Sequence, residues 1–340
     1  MIRLACTLLL VVVLPVSADT LLVGNKARDT LSLVDLESGE VVKTLPTGQG
    51  PHEVDVSPDG RTAVVVNYGS GGNAGNTMTV VDVPSGEVTT TIDLGQHVAP
   101  HGVVWMQDNA HVIVTTEDSG DIIKVHVASG AVVGAWKTGQ QVSHMVALSP
   151  DDRTAFVSSI RSGTVTRIAL EPGAKAHSVA TGEGAEGIAV TADGAEVWVA
   201  NRGDDTITVH DTGSLEVLAE LETGDFPIRL EMSADGKYAL VTNAESSELG
   251  VYQVSTRKEL VRRKLQLEGG KGASIFGEFG QSSVPVGIQT HPTRPVIYIA
   301  HANGDAVSEI STETWEILRV LDAGPEPDGM AYSPLDIEGS

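Results

Sequence analysis

Three histidines stand in nearly the same setting, His52 in GPHEV, His101 in APHGV and His144 in VSHMV, spaced 49 and 43 residues apart. Further stretches of this type carry Glu186 in GAEGI, Ile228 in FPIRL, Val286 in VPVGI and Asp328 in EPDGM. Imidazole and carboxylate arriving from separate segments are what a borderline divalent metal takes, and three histidines with one open position suit catalytic zinc. His97, four residues before His101 in HVAPH, is a candidate further donor. The expected metal set is His52, His101, His144, Glu186 and His97, with zinc or copper as the ion. The competing reading is a solvated rim on which polar residues only cap backbone groups.

Other polar residues fall beside these positions. Glu53 follows His52 and Arg229 follows Ile228, while Lys26, Tyr68, Glu117 and Arg202 each close an apolar run ending in Asn or Thr. His301 replaces the usual asparagine in YIAH. In so acidic a chain Arg229 has two readings. It grips a carboxylate or phosphate of a ligand bidentately, or it pairs with Glu53, Glu186 or Asp328. A ligand site is expected from Glu53, Arg229, Asp328, His301, Tyr68, Phe276 and Phe279. The two phenylalanines sit in GGKGASIFGEFGQSSV, a glycine-hinged insertion read as a lid. A second insertion, YGSGGNAGN, is glycine-rich, follows a second strand and is read as a lengthened loop at the same end.

The elements that must position these residues come from a repeat. SPDG at Ser57 recurs as SPDD at Ser149, TADG at Thr191 and SADG at Ser233, with looser copies at Met106 and His291, giving a unit of about 42 residues. Each unit contains four short runs rich in β-branched residues, bounded by Gly, Asp, Asn, Ser or Pro, and no 3.6-residue period. Four strands per such unit is a propeller blade. Seven second strands, Leu22–Asn25, Val64–Asn67, Ile113–Thr116, Phe156–Ser159, Trp198–Asn201, Leu240–Asn243 and Tyr298–His301, predict an all-β, seven-bladed β-propeller. The chain opens on a second strand and closes on a first strand, residues 327–333. That offset predicts ring closure by pairing of the C-terminal strand into the first blade.

The runs VVVN, WVAN, LVTN and LVGN resemble the YVTN-repeat β-propellers, over residues 21–333. IVTT, FVSS and YIAH depart from that pattern. The resemblance implies export, in a family that includes surface-layer proteins, relatives of the d1-haem domain, and lactonase-like and quinoprotein-associated members. It implies no single activity.

Against 22 basic side chains stand 45 acidic ones, a formal net charge of −23, so no nucleic-acid partner is expected: a phosphate backbone would meet a repulsive field. Arg3, the apolar run Leu4–Leu14 and Val16-Ser17-Ala18 fit a secretory signal peptide over residues 1–18. The run falls short of the roughly 20 residues that span a bilayer. Cys6, the single cysteine, lies inside it, so a mature chain of residues 19–340 has no thiol chemistry or disulfide, and the missing C-x-x-C-H excludes a c-type haem. The expectation is one periplasmic or secreted propeller domain with no transmembrane segment in the mature chain. It acts as a binding or scaffold protein whose His-rich channel mouth serves a small-molecule ligand, a metal or an envelope protein. A metal-assisted hydrolase or lyase of the lactonase-like type is the alternative.

Overall fold

The second strand of each repeat reads as an unbroken apolar run because a central strand in stacked sheets is covered on both faces. The computed structural model, which describes residues 19–265, 267 and 279–338, shows what covers it. The described residues form 28 strands, β1 to β28 in chain order, in seven four-stranded antiparallel blades. Blades two to seven have as inner strands β4 (Pro51–Val56), β8 (Pro100–Trp105), β12 (Ser143–Leu148), β16 (Ala185–Val190), β20 (Pro227–Met232) and β24 (Pro285–Thr290).

Blade one is built differently. It holds β1 (Thr20–Asn25), β2 (Thr30–Asp35) and β3 (Val41–Pro46), and its inner strand is β28 (Pro327–Ser333). β28 runs antiparallel to β1, with Leu21 opposite Tyr332 and Leu22 opposite Ala331, so the ring closes as the phase of the repeats predicts. β1 is thereby left without an open edge.

Burial is divided into seven apolar clusters, one in each gap between consecutive blades. Alternate residues of a strand face opposite sides, so one strand feeds two clusters. Ala63 and Val65 pack toward blade one with Leu22 and Leu33, whereas Val64 and Val66 pack toward blade three with Val103 and Val114.

The stretch Tyr68 to Asn76 is not a loop. β5 (Thr62–Ser70) and β6 (Asn73–Asp82) extend into a hairpin that turns on Gly71 and Gly72, both with positive φ, and Ser70 pairs with Asn73. A two-residue turn of that kind matches the twist of the strands it joins. Residues 1–18 and most of the Gly269–Val284 insertion, including Phe276, lie outside the described residues. Among the described residues no helix is long and apolar enough to cross a membrane.

Candidate functional site

Each inner strand breaks register with its neighbour at the same place. In β8 the pairing runs Pro100 to Thr116 and then Val103 to Val114, which leaves His101 and Gly102 in a bulge. The shift recurs in all seven blades. A bulge bends the strand and re-aims its side chains. Glycine fills the position after the aimed residue where the next blade's backbone comes close. A Cβ on Gly329 would lie 2.4 Å from the His52 carbonyl oxygen.

Two residues before each aimed position the backbone is left-handed, at Gly50, Ala99, Val142, Gly184, Phe226, Val284 and Glu326, with φ between 50 and 71°. The carbonyl there accepts the amide of the residue just past a second strand: Tyr68 to Gly50 and Glu117 to Ala99 at 3.0 Å, Arg202 to Gly184 at 3.1 Å, and Lys26 to Glu326 at 3.0 Å. Ile160, Ala244 and Ala302 make the same bond in the other blades. These clamps set two rings of side chains around the channel mouth. The inner one is His52, His101, His144, Glu186, Ile228, Val286 and Asp328. The outer one is Lys26, Tyr68, Glu117, Ile160, Arg202, Ala244 and Ala302.

The three histidines stack in one arc, with ring centroids 4.1 Å apart for His52 and His101 and 3.7 Å for His101 and His144. All are buried. Tyr68 stands edge-on to His52 and His101, and its hydroxyl donates to Glu117 Oε2 at 2.6 Å. Glu117 Oε1 bonds His144 Nδ1, while His144 Nε2 lies 3.2 Å from Glu186 Oε1. Burial disfavours the His144 cation, yet the two carboxylates outweigh it and raise its pKa. His101 has no such support: burial, then His144, His52 and Arg229, push it well below the ordinary value, and its Nδ1 has no partner. His52 is lowered by burial and by Lys26, whose Nζ lies 2.5 Å from its Nε2, against the pull of Asp328 at 3.1 Å.

Arg229 lies at the centre. It donates to Glu53 and reaches Asp328 Oδ1 at 3.4 Å and Glu186 Oε1 at 3.5 Å, so its contacts are those of the ion-pair reading. Burial opposes ionisation of Asp328, but His52, Lys26 and Arg229 hold its pKa far below the carboxylate range. Glu186 is likewise held down against burial by His144, Arg202 and Arg229.

A cavity of about 780 Å³ opens over these rings, lined among others by the three histidines, Tyr68, Glu117, Glu186, Arg229 and Asp328. His101, Glu117 and His144 each offer a donor atom within 4.8 Å of the others, and so do His52, Glu53 and His101. Glu186 and His97 fall outside both groups. Glu186 is engaged by His144 and two arginines, and His97 pairs with Asp121 at 3.1 Å.

His301 does not reach the cavity. It is pinned inside blade seven between Ser283 and Ser308, at 2.9 Å from each, where asparagines in other blades bond third-strand hydroxyls, as Asn25 does Ser32 and Asn67 does Thr79. The motif asparagine is an internal clamp, and His301 substitutes for it. Phe279 sits behind the rim, edge-on to Phe226 at 4.9 Å. Glu117, absent from the expected metal set, was visible as the outer-ring residue of blade three. Phe226 and Arg161 also line the cavity and carried no signal in the repeat.

The sequence profile of the YNCE-like beta-propeller family matches residues 16–112 and 104–277. No curated protein matches. Among solved structures, a functionally unknown protein from Desulfotomaculum acetoxidans DSM 771 is 14% identical with a TM-score of 0.76, covering 94% of this chain and 100% of that one. The Pseudomonas aeruginosa periplasmic gluconolactonase PpgL is 18% identical with a TM-score of 0.73, covering 93% and 99%. Kuenenia stuttgartiensis hydrazine synthase is 18% identical with a TM-score of 0.67, covering 84% and 90%. At such identities these likenesses establish the fold.

Proposed function

The chain belongs to the YNCE-like beta-propeller family, and on that footing we propose that it is an exported ligand-binding propeller that takes up a divalent transition metal, zinc or copper, at its channel mouth. His101, Glu117 and His144 are the ligands, with His52 stacked beside them. One observation carries this reading: the buried, unpartnered Nδ1 of His101, in a trio whose donor atoms lie within 4.8 Å of one another. A buried nitrogen left without a bond costs about 1–3 kcal/mol, which an ion would offset. Neutral imidazole is the ligand form, and burial keeps His101 neutral. Tyr68 orients the Glu117 carboxylate from outside the trio. Export draws on the signal-like pattern of residues 1–18 and fits the periplasmic origin of one structural relative.

The test is the metal content of purified protein, followed by calorimetric titration of stripped protein with zinc and copper. One ion per chain, lost in His101→Ala, is expected. Equal weak binding by both proteins would sink the reading.

A metal-assisted hydrolase or lyase is the second reading. It is favoured by His52, which lies outside the ligand trio yet stacks on His101 and links Lys26 to Asp328 through its two ring nitrogens, a path along which a proton can move. Hydrolysis of a lactone panel by metal-loaded protein, lost in His52→Gln with the metal retained, is the outcome it requires.

A further inference from the structure

We propose that the cavity takes a small organic acid with an apolar body, its carboxylate held by Arg161 and Arg202; this names the ligand class for the mouth and rests on the reading above only for the choice of that site. The mouth is two-sided. The inner ring is polar in blades one to five but presents Ile228 and Val286, 3% and 2% exposed, in blades six and seven. Phe226 extends that wall, braced by Phe279, and lies under the Arg202 guanidinium at 5.0 Å. A ligand filling the cavity meets apolar surface on one side and the histidine arc on the other.

The cations are equally uneven. Arg229 is consumed by three carboxylates, and Lys26 by Asp328 and His52. Arg202 is anchored through a single nitrogen, Nη1 to Glu186 at 2.5 Å, and by its stacking on Phe226, which leaves other guanidinium donors for a ligand. Arg161 lines the same cavity and has no ion pair among the described residues, in a chain whose acidic side chains outnumber basic ones 45 to 22. Two planar guanidiniums, one pre-oriented on an aromatic face, suit a carboxylate. Asp118 and Glu183 line the same cavity and disfavour an extended polyanion, so the fit is to one acid group on an apolar body.

Calorimetric titration of the full chain with benzoate and with benzamide, its uncharged counterpart, tests this in the presence and absence of zinc. Benzoate should bind, benzamide and acetate at least about tenfold more weakly, and Arg161→Gln should weaken benzoate about tenfold while leaving zinc uptake unchanged. No benzoate binding up to about 10 mM, equal binding of benzoate and benzamide, equal binding of benzoate and acetate, or full affinity in Arg161→Gln overturns the proposal. Benzoate binding without zinc uptake would remove the metal reading and support this one; zinc uptake without benzoate binding does the reverse.

Discussion

Arg229 on blade six donates to the carboxylate of Glu53 on blade two, 176 residues away and on a non-adjacent blade of the ring. The same guanidinium reaches Glu186 on blade five and Asp328 on blade one. The four residues are between 2% and 9% exposed. Seven separate sheets share no ladder hydrogen bonds with one another, so this cation joins four of them at the centre of the mouth.

Replacing Arg229 with Met leaves three buried carboxylates without their shared cation. The expected cost is about 3–5 kcal/mol of unfolding free energy at pH 7.5, read by denaturant titration. In the parent, Asp328 has a depressed pKa, and its contribution is present above the unfolded value and lost as pH falls. In the variant Asp328 and Glu186 lose one of the cations that hold them down, so less of their stabilisation remains to be lost on protonation and the deficit should narrow toward pH 4. A deficit that is constant with pH would show that lost packing, not charge, is responsible.

Deeper in the inner strands, burial raises Asp55 to about 6 and Glu231 to about 7, although each accepts a backbone amide, from Trp105 and Thr290 respectively. A carboxyl with a raised folded pKa destabilises above that value and ceases to do so below the unfolded one. The contribution of these two groups should therefore rise as pH falls from about 8 toward 4, while buried histidines with lowered pKa values, His52 and His101 among them, oppose it below about 6.5. Asp55→Asn and Glu231→Gln keep the amide acceptor and should each add about 1–2 kcal/mol at pH 8, a gain that shrinks as pH falls and is lost only near pH 4. Melting curves across that range check both.

His144 must lose its proton before it can ligate. Because Glu117 and Glu186 raise its pKa, metal uptake should weaken on acidification with a midpoint above the ordinary histidine value of about 6.5. Glu186→Gln removes one supporting carboxylate and should move the midpoint down. The metal-free protein has the opposite sign, since the clamp on His144 stabilises below the unfolded pKa and is lost as pH rises through the raised one. Zinc titrations at pH 6, 7 and 8 on both proteins separate these trends.

Deleting Pro327 onward removes β28 and should open the ring, exposing β1 as an edge and lowering the melting temperature sharply. The tail after β28 is not dispensable. Thr20 Oγ1 donates to the Leu335 carbonyl at 2.8 Å, the Glu338 amide to Pro84 at 2.6 Å, and Ile337 is buried among Leu22, Val54 and their neighbours. Removing Leu335 to Ser340 should cost about 2–3 kcal/mol, mainly from Ile337. A truncated protein that melts with the parent would contradict that packing.

The 42-residue rhythm and the apolar second strands by themselves determined the number of blades, the strands of each, and closure by residues 327–333. These are periodic, local properties, and a sheet covered on both faces writes them at every repeat. The same alignment named the inner ring from His52 to Asp328 and most of the outer one. What those residues meet was decided by tertiary structure. Ring curvature and side-chain reach bring Arg229 to Glu53, and Glu117 rather than His97 to His144. His301 and Asn25 occupy matching places in their blades, and only the hydroxyls around them reveal an internal clamp. No local pattern records a distance between separate sheets, so the partners at the channel mouth follow from how seven wedges pack around one axis.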